Sequence, residues 1–368
     1  MFGLYIHLPF CVSKCHYCDF PSLAGQDDLI NRYSRALLLE AANSRAIGRW
    51  VDTVYWGGGS PSHISRAVFE YIWQNLVHLF YFQSETERTI EVNPAEISAE
   101  KLLFWKNELL INRISIGLQI ADDEILQKIG RRYSWLDFVS TYKMVQKYFD
   151  NINVDIIYGL PETTESIWTR TLKKIVDLKP THISAYPLEV APETLLGQTG
   201  FRPDENQQAT FYQMTVDFLV ASGYRHYEIS NFALPGYECQ HNLNYWRQGN
   251  YLGLGLGAAS FLGNLRWKNV PDLDKYLSSI EKDDFSGIIA EREILSLDQL
   301  FRERIILGLR LDNGVRLSHS EWVKLKDGLK ESRKYRLIDL NFSEPDNIQF
   351  RLTARGKFLS NIVFQEIV

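Results

Sequence analysis

The 368-residue sequence predicts an α/β fold, a partial (β/α)6 TIM barrel followed by a smaller α+β module. In the first half, short apolar runs rich in β-branched residues alternate with amphipathic stretches of helical period. Strands that read as continuous apolar runs are buried on both faces, which is typical of a parallel sheet. Because crossovers between parallel strands are right-handed, six such units would curl into most of a barrel.

The predicted strands and helices alternate in order along this half of the chain. The strands are expected at 3–8, 52–59, 89–94, 113–119, 151–161 and 182–190. The helices are expected at 27–46, 64–80, after residue 98, and at 122–129, 135–148 and 163–178. Asp27 and Ser98 each precede a helix, and we expect their side-chain oxygens to accept from the free backbone N–H groups of the first turn.

The alternation ends near residue 195. An amphipathic helix is predicted at 206–224. It is followed by the cluster "CQHNLNYW" (239–246) and by the glycine-rich run "YLGLGLGAAS" (251–260). These segments continue neither the strand-helix alternation nor a sequence repeat, so we assign them to a linking extension between the barrel and the C-terminal module.

The C-terminal part is predicted as helix, helix, hairpin and helix, with the hairpin turning at Pro345, Asp346 and Asn347. This order is typical of a winged-helix-like module. The predicted division of the chain is therefore a barrel at 1–200, a linking extension at 201–280 and the module at 281–368.

Composition and charge narrow the function classes. The net charge is −5, from 40 basic and 45 acidic residues, whereas a nucleic-acid binder is normally basic. The basic group at 324–336 is expected to be a solvated helix face, and no nucleic-acid partner is predicted. The sequence has no apolar run of bilayer-spanning length and no signal peptide. With four cysteines, it predicts a cytoplasmic protein, with peripheral membrane attachment left open.

Three of those cysteines lie in "YIHLPFCVSKCHYCDF", directly after the first predicted strand. Cys11, Cys15 and Cys18 have the spacing C-x3-C-x2-C, and thiolates suit iron–sulfur clusters and zinc. In a 4Fe–4S cluster, three cysteines leave one iron free to chelate an amino and a carboxylate group. The alternative is zinc with His7 or His16 as the fourth ligand.

Other polar residues follow the remaining strands at the same end. Because the loops after the strands of a parallel barrel converge on one rim, we expect these residues to lie together. Each also has a simpler explanation, such as a glycine turn, a helix cap or a solvated carboxylate. The rim residues are Tyr5, Gly57, Gly58, Gly59, Ser60, Glu91, Gln119, Arg131, Asp155 and Tyr186.

The cysteine loop resembles the signature of the radical S-adenosylmethionine (SAM) superfamily. There the open iron holds SAM, and one electron from the cluster cleaves its C–S bond to a 5′-deoxyadenosyl radical. The motifs "YWGGGSPS", "TIEVNP", "RISIGLQ", "VDIIYGLP" and "HNLNYW" resemble the HemN/HemW group over nearly the whole chain. The resemblance implies a radical SAM barrel with a 4Fe–4S cluster on Cys11, Cys15 and Cys18. It also implies SAM contacts from Tyr5, Tyr17, Gly58, Gly59, Ser60, Glu91, Gln119, Arg131 and Asp155.

That group comprises oxygen-independent coproporphyrinogen III oxidases and haem chaperones. The oxidase motif continues to a fourth cysteine where this chain has Phe20, and the oxidases have an N-terminal extension where this chain has ten residues before Cys11. Both differences favour a haem chaperone, with the oxidase as the alternative. The implied partners are haem and apo-haemoproteins, with respiratory recipients expected and a homodimer left open.

The motif H-N-x-x-Y-W supports the same branch. The resemblance implies that His241 binds haem, and Tyr245 and Trp246 could stack on a porphyrin. The simpler explanation is a turn histidine satisfied by backbone, with the two aromatic rings in the core. Ala259 stands where the family pattern has a histidine, which counts against a site made of two histidines.

Overall fold

The computed structural model describes residues 1–344 and 346–368, so Pro345 of the predicted turn lies outside the described residues. The strands within these ranges are β1 (Phe2–Leu8), β2 (Phe10–Cys11), β3 (Leu23–Ala24), β4 (Trp50–Gly58), β5 (Tyr81–Val92), β6 (Arg113–Gln119), β7 (Asn151–Tyr158), β8 (His182–Pro187), β9 (Arg225–Glu228), β10 (Asn231–Ala233), β11 (Asn250–Leu254), β12 (Ala259–Leu262), β13 (Leu265–Asn269), β14 (Ile289–Ile294), β15 (Val315–Leu317), β16 (Ile338–Glu344) and β17 (Asn347–Leu352).

The helices cover the outside of the sheet and form most of the C-terminal module. They are α1 (Ile30–Ala42), α2 (Arg66–Leu79), α3 (Ala99–Asn107), α4 (Asp123–Lys128), α5 (Trp135–Val145), α6 (Glu165–Leu178), α7 (Leu195–Gln198), α8 (Glu205–Ala221), α9 (Gln240–Trp246), α10 (Leu273–Glu281), α11 (Leu297–Leu309), α12 (His319–Leu325), α13 (Lys330–Lys334), α14 (Ala354–Phe358) and α15 (Ser360–Ile367). No helix in the described part of the chain is long and apolar enough to cross a membrane.

The main sheet confirms the predicted barrel. Its strand order is β14-β13-β12-β11-β1-β4-β5-β6-β7-β8-β10-β9, and the strands from β11 to β8 are parallel. The six predicted strands are β1, β4, β5, β6, β7 and β8. Apolar side chains on one face of these strands form the core, and Leu4, Ile6, Val54, Ile114 and Ile156 among them are fully buried.

A seventh parallel strand, β11, was not predicted. It pairs with β1 through the register Leu4↔Leu252, inside the glycine-rich run. Glycine is depleted in strands, so this run carries little strand signal. Gly253 has a steric reason to be there, because a Cβ at this position would lie 2.2 Å from the backbone oxygen of Ala259 on β12.

The sheet crosses the predicted boundary at residue 200, since β9 to β14 continue it at both edges. The segment named as a linking extension therefore contributes strands to the barrel's own sheet. The last module has a separate small sheet, β15-β17-β16, and a separate core that includes Ile305, Trp322, Phe350 and Val363. The three-part division stays a prediction.

Two local predictions were wrong and one cap was confirmed. Asp27 begins a 3-10 turn, and α1 starts at Ile30 without a side-chain cap. The second C-terminal helix is split into α12 and α13 around Gly328, a residue that weakens helices. Ser98 does cap α3, because its side chain accepts from the backbone N–H of Lys101 at 3.3 Å.

Candidate functional site

The predicted rim residues meet at the carboxyl ends of the parallel strands. The register pairs Tyr5 with Tyr55, Glu91 with Ser115, and Gly117 with Asp155. Residues in register on parallel strands stand side by side at the same height of a barrel. The strands therefore place a tyrosine pair and two carboxylates at one mouth.

The three clustered cysteines lie beside this mouth, in the segment from β2 to β3. All three are partly exposed and none is in a disulfide. Burial raises the pKa of Cys11 to about 12, and the neighbouring Cys18 and Cys15 add to the rise. Thiols that oppose one another's ionisation lie close together, and a multi-iron cluster supplies the positive charge that would favour three thiolates.

Of the two histidines in the zinc alternative, His7 has no ring nitrogen left for a metal in this geometry, whereas His16 keeps Nε2 free among the described residues. Nε2 of His7 donates to the carbonyl of Pro21 at 2.8 Å, which leaves Nδ1 to accept from the hydroxyl of Tyr5 at 3.0 Å. Nδ1 of His16 donates to the carbonyl of Lys128 at 2.8 Å.

Two glycines bring the end of β4 against the cysteine segment. A Cβ on Gly59 would lie 2.6 Å from the Pro9 carbonyl and 2.9 Å from Sγ of Cys11. Gly58 has φ +117°, in the region that favours glycine, and a Cβ there would meet the ring of His7 at 2.8 Å. The absence of side chains therefore lets the backbone of "GGGS" pack closely against the cysteine segment, as the resemblance implies. A larger residue at either position would prevent this approach.

Glu91 is a carboxylate on the inner face of β5. It accepts from the hydroxyl of Tyr55 at 3.0 Å and from the backbone N–H of Gly58 at 3.2 Å. Burial raises the pKa of Glu91 to about 7, and the nearby charge of Asp155 adds to the rise. A ligand with hydroxyl or ammonium donors would stabilise the ionised form of this group.

Ser60 is buried, and its environment reveals a residue that the sequence analysis missed. The hydroxyls of Ser60 and Ser62 both donate to Oε2 of Glu96 at 2.6 Å, and Asn93 donates to Oε1 at 3.2 Å. Glu96 therefore holds the loop after β4 against the loop after β5. In the sequence, the only indication that Glu96 connects these loops is its short distance from "TIEVNP".

Gln119, Arg131 and Tyr17 form the opposite side of the mouth. Gln119 has φ +73° at a register shift that ends β6, which turns its side chain beside Gly117. Nη2 of Arg131 donates to the hydroxyl of Tyr17 at 2.6 Å. This hydrogen bond connects the cysteine segment to the barrel. Among the described residues, the buried Nε of Arg131 has no hydrogen-bond partner, which suits a site that receives an anionic ligand.

Asp155 is held by neighbours that carried no sequence signal. Its two oxygens accept from the hydroxyl of Ser115 and from the amide of Asn153, each at 2.8 Å. The amide oxygen of Asn153 contacts Nδ1 of His182 at 2.6 Å, and Nε2 of His182 contacts the hydroxyl of Tyr227 at 2.8 Å. These contacts fill the barrel interior and keep Asp155 facing the mouth.

The H-N-x-x-Y-W motif forms the short helix α9, which packs against β1, β4 and β11 of the barrel. Glu87 on β5 caps this helix, since its carboxylate accepts from the backbone N–H groups of Gln240 at 3.1 Å and His241 at 3.0 Å. The buried guanidinium of Arg113 lies near Glu87 and balances its charge. The carboxylate of Glu87 therefore anchors the motif to β5 through these two hydrogen bonds.

His241 is 1% exposed, and both of its ring nitrogens are engaged. Nδ1 contacts the hydroxyl of Thr53 at 2.8 Å, and Nε2 contacts the hydroxyl of Tyr245 at 2.7 Å. Burial lowers the pKa of His241 to about 3, and the charge of Arg113 lowers it further. The imidazole is therefore neutral in this structure, and haem ligation by His241 stays a prediction that would require these contacts to open.

A cavity of about 450 Å³ adjoins the mouth. Its size suits a cofactor-sized ligand. Tyr5, His7, Gly58 and Glu91 line its barrel side, so it is continuous with the predicted SAM site. Its aromatic and apolar walls include Phe20, Tyr245, Trp246, Tyr251, Phe261 and Leu307, whereas His241 is not among its lining residues.

The C-terminal module supplies the outer wall of this cavity, a feature that sequence analysis missed. Glu303 and Leu307 on α11 line it, and Glu303 forms an ion pair with Arg266 on β13. The guanidinium of Arg310 lies 4.2 Å from the ring centroid of Trp246. Nε1 of Trp246 has no hydrogen-bond partner among the described residues, so an N–H donor is left for a ligand.

Comparison with known proteins identifies the family. Residues 5–175 match the model of the radical SAM superfamily. The haem chaperone HemW of Lactococcus lactis is 31% identical, over 99% of this chain and 96% of its own length. The haem chaperone HemW of Bacillus subtilis is 32% identical, over 99% of this chain and 98% of its own length. This chain belongs to the HemW family.

A solved structure agrees with that assignment at the level of the fold. Coproporphyrinogen III oxidase (HemN) from Escherichia coli, a radical SAM enzyme, matches this HemW-family chain with a TM-score of 0.85 and 26% identity, over 100% of this chain and 89% of its own. Radical SAM membership implies a 4Fe–4S cluster and SAM. The clustered thiols fit the cluster, and the close approach of the glycines and the unpartnered Nε of Arg131 fit SAM.

Proposed function

We propose that this HemW-family protein is a haem chaperone, which binds haem and transfers it to apo-haemoproteins. The observation that carries the proposal is the aromatic cavity that joins the SAM mouth to the H-N-x-x-Y-W helix and the C-terminal module. Curated relatives that align over 99% of the chain are haem chaperones by name, which supports the same function.

The cavity has the chemistry that a porphyrin requires. Tyr245, Trp246, Tyr251 and Phe261 offer aromatic surface for a flat apolar macrocycle. Arg266 lies at the edge of the same cavity, and its guanidinium is held by Glu293 and Glu303, so a propionate would bind it by displacing one of these carboxylates. The free Nε1 of Trp246 is a second donor.

In this proposal, Cys11, Cys15 and Cys18 hold a 4Fe–4S cluster, which supplies an electron to SAM when both are bound. Tyr5, Tyr17, Gly58, Gly59, Ser60, Glu91, Gln119, Arg131 and Asp155 would bind and orient SAM. Arg131 and Tyr17 would exclude water from one side, and Glu91 would accept from SAM donors. Because the SAM mouth and the cavity share Tyr5, Gly58 and Glu91, SAM bound in the mouth would form one wall of the haem cavity.

The proposal also covers the proteins that receive haem and the place where the transfer occurs. Apo-haemoproteins of the respiratory chain would be the recipients, and the protein would act in the cytoplasm or at the cytoplasmic face of the membrane. A homodimer remains compatible with this role. Each of these assignments rests on the family resemblance.

An anaerobic titration with ferric haem, followed at the Soret band, tests the proposal. The protein is reconstituted with its cluster, and we expect saturable binding of one haem per chain. Ala259→Trp should fill the cavity and weaken binding by about tenfold or more. Ala290→Trp, also exposed on the main sheet but outside the cavity lining, is the matched control. Absence of saturable binding to the wild type would contradict the chaperone function.

The second candidate is the coproporphyrinogen III oxidase reaction, which the likeness to HemN favours. It predicts that coproporphyrinogen III, SAM and a reductant together give carbon dioxide and 5′-deoxyadenosine under anaerobic conditions. We expect no such turnover from this protein, because Phe20 replaces the fourth cysteine of the oxidase motif. Turnover without haem binding would reverse the order of the two candidates.

A further inference from the structure

An ion pair forms part of the outer wall of the aromatic cavity. The guanidinium of Arg266 on β13 and the carboxylate of Glu303 on α11 both line the cavity and are hydrogen-bonded to each other. We propose that Arg266 is the receptor for a carboxylate of the bound ligand, and that Glu303 is an internal competitor which that carboxylate replaces. This inference rests on the proposed haem-binding function and names the group by which haem is recognised.

The charges that line the cavity differ between its two sides. In the part of the chain that the structure describes, Arg266 is the one guanidinium or ammonium group among the lining residues. The barrel side is lined instead by the carboxyl group of Glu91 and by His7, whose pKa is lowered to about 4 by burial, so its ring is neutral. An anionic group of a ligand is therefore attracted to the Arg266 side. For haem, this orientation places the propionates beside β13 and α11 and leaves the apolar edge of the macrocycle for the barrel side.

Two carboxylates already hold the guanidinium of Arg266, and their surroundings differ. Nη2 donates to Glu293, the register partner of Arg266 on β14, at 2.7 Å, and Nη1 donates to Glu303. Glu293 lies outside the cavity lining, and its other oxygen accepts from Gln299 at 3.1 Å. The second oxygen of Glu303, Oε2, is buried and has no hydrogen-bond partner among the described residues, which costs free energy. Glu303 is therefore the less well satisfied carboxylate and the one that a ligand in the cavity reaches.

The exchange replaces one carboxylate with another and requires no proton transfer and no redox step. The side chains of Arg266 and Glu303 are 40% and 24% exposed, so water screens their ion pair and little free energy is needed to break it. Each haem that binds must nevertheless break this pair, and haem affinity is lowered by that amount. When haem leaves, Glu303 returns to Arg266, which suits a protein that passes its ligand on.

Titration with two ligands tests the proposal: ferric haem, and its dimethyl ester, which has the same macrocycle without free carboxylates. Binding to the protein with its reconstituted cluster is followed at the Soret band. Glu303→Gln should bind haem about two- to fivefold more tightly than the wild type, because the competing charge is removed. Arg266→Met should bind haem about fivefold more weakly or worse, and the gain from Glu303→Gln should vanish when the two substitutions are combined. Neither substitution should change the affinity for the dimethyl ester.

Glu291→Gln is the matched control, because it removes an exposed carboxylate of β14 that lies outside the cavity lining, and it should bind both ligands as the wild type does. Glu303→Ala removes the competitor in a second way and should show the same gain. Thermal unfolding of each variant by circular dichroism checks that the substituted proteins are folded.

The outcomes separate this inference from the function on which it rests. A wild type without saturable haem binding overturns the chaperone proposal and this inference together. If the wild type binds haem, unchanged or weaker haem binding in the folded Glu303 variants overturns the inference alone. A gain that persists with the dimethyl ester, or in the Arg266→Met background, does the same.

Discussion

Single residues at the barrel mouth are constrained by close backbone approach and by buried charge. Gly59 has no room for a side chain beside Pro9 and Cys11, and Glu96 joins two rim loops through three hydrogen bonds. Glu40 on α1 is a second buried carboxyl, and it accepts from Gly255, Asn269 and Tyr276. Both kinds of constraint lead to measurable effects of single substitutions.

The first prediction concerns Gly59→Ala. The added Cβ would meet the Pro9 carbonyl at 2.6 Å, so the backbone must move at the cysteine segment, at a cost of about 1–3 kcal/mol. Iron and sulfide bound per chain after anaerobic reconstitution should fall clearly below the wild type. Gly328→Ala is the control, because its Cβ would lie no closer than 3.0 Å to any atom and far from the cysteines. Equal iron content in both variants would contradict the steric role of Gly59.

The second prediction concerns Glu40. Burial raises the pKa of Glu40 from its ordinary 4.5 to about 7, although its three donors oppose the rise. The folded protein therefore holds this proton more tightly than the unfolded chain, and stability falls as pH rises from about 4.5 to about 7. The difference between these values corresponds to ~3 kcal/mol.

Urea unfolding of the wild type and of Glu40→Gln at pH 5 and pH 8 measures this effect. The glutamine resembles the protonated carboxyl, so the variant should lose less stability than the wild type between the two pH values. Glu100→Gln, on the exposed face of α3, should keep the wild-type difference. If Glu40→Gln loses as much stability between pH 5 and pH 8 as the wild type does, the pH dependence comes from other groups and the prediction is wrong.

At the level of elements, the short helix α9 depends on tertiary contacts. Seven residues are too few for a helix that is stable alone. Glu87 on β5 supplies the acceptor for two of its first N–H groups, and Thr53 on β4 contacts His241. The position of the H-N-x-x-Y-W motif is therefore set by two barrel strands.

The third prediction follows from that anchor. Glu87→Gln keeps the shape of the cap but removes the charge that balances Arg113, so stability should fall by about 1–3 kcal/mol, and haem affinity should fall with it. Ser98→Ala removes a cap from α3, away from the cavity, at a cost of ~1 kcal/mol. Haem titration of both variants shows whether haem affinity falls only when the cap of α9 is changed or whenever the protein is destabilised. Unchanged haem affinity in Glu87→Gln would contradict the anchor role of Glu87.

At the level of the whole molecule, the C-terminal module is a wall of the cavity. The barrel mouth and the module meet where Arg310 on the module covers Trp246 at 4.2 Å, and where Gln248 donates to the backbone carbonyl of Leu300 at 3.0 Å. The module has its own core, and its contacts with Trp246 and Gln248 hold it against the cavity.

The fourth prediction is a coupling between these two parts. A guanidinium over an indole ring contributes roughly 0.5–2 kcal/mol. A double-mutant cycle with Arg310→Met and Trp246→Leu, measured by chemical unfolding, should give a coupling free energy in that range. The same cycle for haem affinity should also be non-additive. Additive effects in both measurements would mean that the module does not close on the motif through this pair.

The sequence by itself determined six of the parallel barrel strands and the family motifs, because these depend on local periodicity and on spacing. The grouping of Cys11, Cys15 and Cys18 could be predicted from spacing alone, since one loop carries them, and their role as cluster ligands stays a prediction. The roles of Glu96, Asn153 and Glu87 could not, because their partners lie on other strands.

The tertiary structure decided the parallel pairing of β11 with β1, which glycines disguise in the sequence, and the orientation of the H-N-x-x-Y-W motif. Sequence patterns identify His241 as a metal-ligating residue type, but only the packing of α9 against β4 and β5 buries that histidine and turns Tyr245 to the cavity. The physical reason is that burial and hydrogen-bond partners arise from contacts between distant segments, which no local pattern records.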